Sequence, residues 1–431
     1  MLDYRAHFAG KKITLMGLGL LGRGEGDAAF LAACGAHLVV TDKKSESELA
    51  EPVARLKKYP NVTFSLGGHR IEDFTHADLV IKAAGVPLGS SEIAAAKKAG
   101  VLVAMSTALF AKYAAERGAR IVGVTGTRGK STVSALIYES LKKAGKRAHL
   151  GGNVRGKSTL AMLPEIEAGD ICVLELDSWQ LQGFGDLQMS PHIAVFSNLM
   201  PDHQNYYRDM DAYFADKANI FAFQNEGDTL IAGKKVAERI ALSRTEVPEN
   251  LPGDWQLKIV GEHNRENAAL AAAALRPLGL SESEIRSGIE SFEGVEGRLQ
   301  LVRELRGVKI YNDNNATTPE ATIAALLALG EKRNVILIAG GSDKGLNMQA
   351  LVALIKDRCK AVYLLQGTGT DRLRKDLLAP VCGSLNEALQ SALDASVPGD
   401  VILFSPAFAS FGMFKNEYER NDLFLALVRN L

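Results

Sequence analysis

At 431 residues the chain exceeds one ordinary domain, and about two or three are expected. A hydrophobic share of 47% and a charged share of 23% belong to a soluble globular protein, and a net charge of +0 argues against a nucleic-acid or anionic-membrane partner. Cys34, Cys172, Cys359 and Cys382 are scattered without metal spacing or a disulfide framework, Met1-Leu2-Asp3-Tyr4 lacks a signal-peptide pattern, and no apolar run nears the ~20 residues of a membrane span, so a cytoplasmic protein is expected.

The first unit, over residues 1–108, opens with a strand at 12–16. Gly17-Leu18-Gly19-Leu20-Leu21-Gly22 comes next, then a helical stretch to Cys34 and a second strand ending at Thr41-Asp42. This is G-x-G-x-x-G in a βαβ setting with an acid about 20 residues on, the pattern of a nucleotide-binding turn. Gly19 and Leu20 on the turn and Asp42 beyond it are candidate ligand contacts, with Asp42 near a ribose or base. The pattern does not specify NAD. Strand and helix continue to alternate at 77–82, 91–99 and 101–103.

The second unit, over residues 109–297, carries the most informative stretch. A buried strand at 121–124 runs into Gly126-Thr127-Arg128-Gly129-Lys130-Ser131, and a helix is predicted over 132–144. Glycines let backbone N–H groups approach phosphate oxygens, and the helix N-terminus adds its positive dipole. Lys130 would reach the β/γ-phosphates, and the Ser131 or Thr132 hydroxyl would meet Mg²⁺. Val124 stands where the strict motif has glycine, so this is a variant P-loop. Arg155-Gly156-Lys157-Ser158-Thr159 repeats the letters, but no apolar strand is expected before it and Pro164 interrupts any helix after it, so it is read as a chance repeat.

Strands predicted at 170–175 and 193–198 end in polar residues. Acids at such ends beside a P-loop serve Mg²⁺, with Glu175 the first candidate and Asp177 the second. Asp202-His203 comes after the second of these strands, where a loop could face the same site. A helix is predicted over 211–223, with Tyr213, Lys217 and Phe221 at helical spacing. Another runs from about Gly261 to Leu275, with Asn264 and Asn267 on one face. The third unit, over residues 298–431, again alternates: strands at 308–311, 334–339, 361–365 and 401–404 end at Asn312-Asp313, Gly340-Gly341-Ser342-Asp343-Lys344, Gly367-Thr368-Gly369 and Ser405-Pro406.

The order of motifs narrows the choice. The P-loop is followed by Gly151-Gly152-Asn153, Glu175-Leu176-Asp177-Ser178-Trp179-Gln180-Leu181, Asn198-Leu199-x-x-Asp202-His203, Tyr213-x-x-x-Lys217 and Gly261-x-His263-Asn264-x-x-Asn267. Asn312-Asp313-x-x-Ala316-Thr317, Gly340-Gly341-x-Asp343-Lys344 and Ser405-Pro406-Ala407-x-Ala409-Ser410 complete the series, with Phe414-Lys415-Asn416 and Arg420. Over nearly its whole length the chain resembles the Mur ligases of peptidoglycan synthesis, and among them the D-glutamate-adding members.

The resemblance implies an α/β protein of three domains: a Rossmann-like N-terminal domain, a central P-loop ATPase-type domain and a C-terminal Rossmann-like domain. It implies an ATP-dependent acid–amino-acid ligase that joins D-glutamate to UDP-N-acetylmuramoyl-L-alanine through an acyl phosphate. Lys130, Lys217, His203 and Lys344 would be catalytic. Gly126, Thr127, Gly129, Lys130, Ser131, Thr132, Asn264, Asn267, Arg298 and Asp313 would hold ATP. Gly19, Leu20, Asp42, Asn153 and His203 would hold the UDP-sugar, and Thr317, Lys344 and Ser410 the incoming glutamate. Ser131, Glu175, His203 and Lys217 would serve two Mg²⁺ ions, with Lys217 as a carbamate. The partners implied are small-molecule substrates, for a monomer.

Four positions depart from the family pattern. Arg128 stands where Asn is usual, Ala83-Ala84-Gly85 replaces Ser-Pro-Gly, Asn315 stands for a frequent Lys and Glu417 for a frequent Phe. The last two lie near the expected amino-acid pocket, so a related ligase using another amino acid, such as L-glutamate, or another acyl acceptor is the alternative. Folate and poly-glutamate ligases share the P-loop variant but lack the N-terminal domain type. An NAD-dependent oxidoreductase would leave the P-loop, Glu175, His203 and Lys217 unexplained.

Overall fold

The computed structural model describes residues 3–202, 206–330 and 333–431, and the chain divides into two units, Met1–Glu249 with Ala269–Gly288 and Asn250–Ala268 with Ile289–Leu431. In the first unit, short apolar runs alternating with helices build two parallel sheets. β1 (Lys12–Met16), β2 (His37–Asp42), β3 (Val62–Leu66), β4 (Leu79–Lys82) and β5 (Leu102–Ala104) pair in the order β3-β2-β1-β4-β5. The Gly17–Gly22 turn leaves β1 and enters the helix Arg23–Ala33 through Gly22 at φ 81°. All four residues of β4 are buried, Lys82 included, which the apolar reading of that strand did not single out.

The second sheet joins β6 (Arg120–Thr125), β7 (Ala148–Gly152), β8 (Ile171–Glu175), β9 (Ile193–Phe196), β10 (Thr229–Ala232) and β11 (Thr245–Glu246) in the order β11-β10-β9-β6-β8-β7. β6 lies at the point where the strand order reverses, and ligands of open α/β sheets bind beyond the carboxyl ends of the strands there. The helix Lys130–Lys143 begins at that end of β6. The strands β6, β8 and β9 are buried almost throughout, as parallel strands covered on both faces must be.

Two expectations need correction here. A strand, β7, does run into the repeat Arg155–Thr159. Its sequence, Ala-His-Leu-Gly-Gly, hides it, because an edge strand needs no apolar alternation. The repeat then leads into a 3-10 turn, Leu160–Glu165, containing Pro164, so no phosphate-binding helix forms. The helix predicted over 211–223 ends early, at Met210–Ala218, leaving Phe221 buried beyond it while Tyr213 and Lys217 sit within it.

The second unit carries β12 (Gln300–Leu305), β13 (Val308–Asn312), β14 (Val335–Ala339), β15 (Cys359–Leu365), β16 (Val381–Cys382) and β17 (Val401–Phe404) in the order β12-β13-β17-β14-β15-β16. Only β12 runs antiparallel to its neighbour, β13. Ile336, Ile338, Ile402 and Phe404 pack on one face with Leu385, Leu389 and Phe424, and Leu337, Leu403 and Val335 on the other with Leu351, Ile355 and Leu326. Among the described residues, no helix is long and apolar enough to cross a membrane.

Candidate active site

The Gly126–Ser131 turn is held from three sides before any ligand is considered. Thr127 N–H donates to Asn198 O at 2.9 Å, and its hydroxyl accepts from Met200 N–H at 2.9 Å. Arg128 N–H donates to Asn198 Oδ1 at 2.8 Å, while Arg128 O accepts from Ser197 Oγ at 2.6 Å and Asn198 Nδ2 at 3.1 Å. Gly126 has φ 144°, and a Cβ there would lie 2.0 Å from Ser197 Oγ, so only glycine lets the turn sit against the end of β9. A rigid turn leading into a helix N-terminus is what a phosphate cradle requires.

Two lysines converge beneath this turn. Lys130 Nζ donates to Gly126 O at 3.0 Å and Thr127 O at 3.2 Å. Lys217 Nζ donates to Gly126 O at 2.9 Å and Thr125 Oγ1 at 3.3 Å, and lies 4.9 Å from the Tyr213 ring centroid. Lys217 is 1% exposed. Burial, and then the charge of Lys130, hold its amine well below the usual lysine range. Ser131 and Thr132 occupy the first turn of the helix Lys130–Lys143.

Glu175 closes β8 and is buried. Its backbone O accepts from Asn153 N–H at 2.7 Å, and its Oε1 accepts from Asn153 Nδ2 at 3.5 Å, so Asn153 and Glu175 are brought together. Gly152, at φ 85°, makes this approach possible, since a Cβ would fall 2.1 Å from Glu175 O. Asp177 is fixed by the helix that follows the strand. It is the N-cap of the helix Ser178–Asp186, accepting from Gln180 N–H at 2.7 Å in a capping box. Asp202 lies 3.8 Å from Arg128 Nη1. His203 lies outside the described residues.

On the N-terminal sheet, Asp42 accepts from Gly19 N–H and Lys44 N–H, both at 3.0 Å. Its carboxylate therefore shapes the G-x-G-x-x-G turn, while Leu20 on the same turn is 60% exposed. The Arg155–Thr159 repeat packs against this turn's helix. Arg23 Nε donates to Val154 O at 3.1 Å, and Ser158 Oγ donates to Asp27 Oδ1 at 2.5 Å. Burial pushes the Asp27 carboxyl up to about 6. A cavity of about 60 Å³ opens between these elements, lined in part by Gly17, Arg23, Lys82, Ala83, Lys157 and Gln180. Burial lowers the Lys82 amine to about 8, partly offset by Asp186, Asp177 and Asp216. A charged residue ending an apolar strand was the signal that could have found Lys82.

In the second unit, Asn264 and Asn267 are both buried, and Asn267 Nδ2 donates to Asn264 Oδ1 at 3.3 Å. Asp313 accepts from Leu299 N–H at 3.0 Å and Ser405 Oγ at 2.8 Å, which sets it beside Arg298. Burial pushes its carboxyl up to about 7 against the pull of Ser405, Leu299 and Arg298. Lys344 Nζ donates to Thr317 Oγ1 at 3.1 Å, and Ser342 pairs with Ala409, next to the buried Ser410. Arg420 is fully buried and holds Asn314 by two bonds, at 2.8 and 2.9 Å. Asn314 in turn donates to Glu417 O at 3.0 Å and Asn315 Oδ1 at 3.2 Å.

A variant P-loop with a buried lysine against its first glycine, in a chain with two further α/β sheets, is the arrangement of a nucleotide-binding protein, and family models make its class that of a ligase. Residues 11–105 match the MurD-like N-terminal domain of Mur ligases, 124–246 the Mur ligase middle domain and 297–408 the Mur ligase glutamate ligase domain. The chain belongs to the Mur ligase family. It is 35% identical over 98% of its length to a UDP-N-acetylmuramoylalanine–D-glutamate ligase of Roseiflexus sp. (strain RS-1), covering 99% of that protein. It is 33% identical to the enzyme of the same description from Borreliella burgdorferi (strain ZS7), covering 97% of each chain. Its fold matches that of the MurF ligase from Thermotoga maritima in complex with ADP, with a TM-score of 0.62 and 14% identity over 91% of this chain and 94% of that one.

Proposed function

We propose that the protein is an ATP-dependent ligase that joins D-glutamate to UDP-N-acetylmuramoyl-L-alanine, releasing ADP and phosphate. The observation that carries this reading is the full-length likeness to ligases of that description. The site chemistry supports it. The substrate carboxylate takes the γ-phosphoryl group, and the amine of the incoming amino acid then displaces phosphate from the acyl phosphate. Both steps gather negative charge, so fixed N–H donors and cations serve better than an acid–base pair. In this proposal the Gly126–Thr132 turn and Lys130 hold the ATP phosphates, and Asn264, Asn267, Arg298 and Asp313 hold the nucleoside. Gly19, Leu20, Asp42 and Asn153 receive the UDP-sugar. Lys344, Thr317 and Ser410 receive the carboxylates of glutamate. The division 1–108, 109–297 and 298–431 assigns one of these tasks to each part, and the expected location is the cytoplasm.

The donors present suit Mg²⁺. Glu175 offers a buried carboxylate, and Ser131 offers a hydroxyl on the P-loop helix. Among the described residues, no three His, Cys, Asp or Glu side chains gather in metal-holding positions. A cation that takes one or two carboxylates and completes its shell with substrate phosphates and water needs no such cluster. Bound there with ATP, Mg²⁺ would neutralise phosphate charge. Lys217 as an ammonium would repel the ion, whereas as a carbamate it would add an oxygen ligand. His203 remains a proposed ligand for a second ion.

Phosphate release with ATP, Mg²⁺ and UDP-N-acetylmuramoyl-L-alanine, varying only the amino acid, tests the reading. D-glutamate alone should support release, with a product of the corresponding mass. Release with L-glutamate, meso-diaminopimelate or L-lysine instead would transfer the assignment to a related ligase, with Asn315 and Glu417 as the first positions to examine.

A further inference from the structure

We propose that Arg23, with Lys157 beside it, binds the diphosphate of the UDP-sugar substrate. The inference rests on the ligase reading for the identity of that substrate. Arg23 is the first residue of the helix that leaves the Gly17–Gly22 turn, where the helix dipole already favours an anion. Its Nε donates to Val154 O at 3.1 Å. Its two Nη groups donate to no acceptor among the described residues, and no carboxylate there forms an ion pair with it. Two acids stand nearby on the same helix. Glu25 is taken by Arg55, which donates to its two oxygens at 2.6 and 2.8 Å. Asp27 accepts from Ser158 Oγ at 2.5 Å, and its charge reaches Arg23 only from beyond ion-pair distance.

The facing wall is the basic segment Arg155–Thr159, which forms no phosphate-binding helix of its own. It is pinned on both sides of its tip. Val154 O is held by Arg23, Ser158 Oγ by Asp27, and Thr159 Oγ1 accepts from Gly152 N–H at 2.8 Å. Gly156 meets the turn directly, since a Cβ on Gly22 would lie 3.5 Å from Gly156 O. Lys157 is left exposed between these pins, with Nζ donating to Leu150 O at 3.1 Å and no ion pair among the described residues.

Arg23 and Lys157 both line the cavity of about 60 Å³ between the turn and this segment. That is room for about two waters, so phosphate oxygens fit where a nucleoside does not. Arg23 follows the turn that carries Gly19 and Leu20, and Val154 follows Asn153. The guanidinium therefore sits among the residues proposed above to receive the UDP-sugar. Its Nε bond fixes the planar fork in advance, and the fork can meet two phosphate oxygens at once. Lys157 exchanges a neutral carbonyl for a charged oxygen, which makes the stronger bond.

The test uses the full-length protein with Arg23→Met, Arg23→Lys and Lys157→Gln, titrated calorimetrically with UDP, uridine and inorganic phosphate. Uridine lacks the diphosphate, so the comparison with UDP reads the contact without turnover. Wild type should bind UDP more tightly than uridine, and Arg23→Met should weaken UDP by about 10- to 100-fold with uridine unchanged. Arg23→Lys should fall between, because it keeps the charge and loses the fork. Lys157→Gln should weaken UDP by about three- to tenfold. In turnover the KM for UDP-N-acetylmuramoyl-L-alanine should rise in parallel, with kcat and the KM for ATP within about threefold of wild type. A wild type that forms no amide product would sink the ligase reading, while the UDP and uridine titrations would still decide the contact. Equal UDP affinity in wild type and Arg23→Met would overturn the proposal. So would a matching loss of UDP and uridine affinity, which would leave Arg23 as a structural tie to Val154. Inorganic phosphate binding as tightly as UDP would overturn it too, by making this a site for the free ion. If Arg23→Met does not fold, unchanged UDP affinity in both Arg23→Lys and Lys157→Gln would have the same force.

Discussion

Lys130 and Lys217 donate to one carbonyl oxygen, that of Gly126, at 3.0 and 2.9 Å. Two ammonium groups on a single acceptor repel, and Lys217 is the buried one, so the strain is relieved by its neutral form. A neutral buried amine is the species that combines with carbon dioxide. The P-loop glycine therefore does more than shape the turn: its carbonyl accepts from both lysines beneath it.

Lys217 is accordingly expected to be indispensable and carbamylated. Lys217→Ala should lower kcat by about 100-fold or more while leaving the fold intact, since it removes the amine that would carry the carbamate. Lys217→Arg, which cannot form the carbamate, should be as inactive. Enzyme equilibrated with ¹³C-bicarbonate should show a carbamate carbonyl resonance that Lys217→Arg lacks. Equal activity in bicarbonate-free buffer, with no such resonance, would leave Lys217 as an amine that serves only the loop.

Gly152 should tolerate no side chain. Its φ of 85° and the 2.1 Å approach of a Cβ to Glu175 O mean that Gly152→Ala must displace the end of β8 or twist the edge strand β7. A loss of about 2–4 kcal/mol in denaturant unfolding is expected, with a higher Mg²⁺ requirement because Glu175 moves. Unfolding at the wild-type midpoint would show that β7 yields freely.

The Asp27–Ser158 contact predicts a pH signature. Burial raises the Asp27 carboxyl from 3.8 to about 6 in the folded protein, so between these values the folded state binds more protons than the unfolded one. Its contribution to stability therefore falls as pH rises from about 4 to about 6, by about 3 kcal/mol, and is level above that. Asp27→Asn should flatten this slope and be more stable than wild type at pH 7.5 by about 1–2 kcal/mol, the remainder being offset by the weaker bond from Ser158. Unfolding free energies across this range, with a slope unchanged in Asp27→Asn, would assign the proton uptake elsewhere.

Much of this site was legible because its chemistry depends on spacing along the chain. The strand, glycine turn and lysine of the P-loop, and the four-residue interval from Tyr213 to Lys217, are local patterns that folding preserves. What escaped was set by neighbours distant in sequence. Asp177 and Glu175 look alike at the end of one strand, and only the start of the next helix makes Asp177 a cap. The hold of Asp42 on the N–H of Gly19, 23 positions before it, is likewise not a local pattern. The Gly-Lys-Ser repeat passed for chance, because nothing local reveals that Ser158 meets Asp27, 131 positions away. The edge strands β7 and β12 were missed because exposed strands lack the continuous apolar runs of β6 or β14.

The proposed amino-acid site offers the sharpest test of substrate identity. Lys344 donates to Thr317 Oγ1 at 3.1 Å, which aims an ammonium and a hydroxyl at one point beyond β13 and β14. Asn315, one strand end away, is held against Glu296 O and Asn314 and supplies no charge. Lys344 should therefore carry most of the attraction for a substrate carboxylate, and a hydrogen bond to a charged group contributes about 1.5–3 kcal/mol. Lys344→Ala should raise the KM for D-glutamate by about 10- to 100-fold with the KM for ATP unchanged, and Thr317→Val should raise it by less. Asn315→Lys should lower that KM if the pocket has room for a second cation. A Lys344→Ala enzyme with an unaltered KM for D-glutamate would place the carboxylate elsewhere and reopen the choice of amino acid.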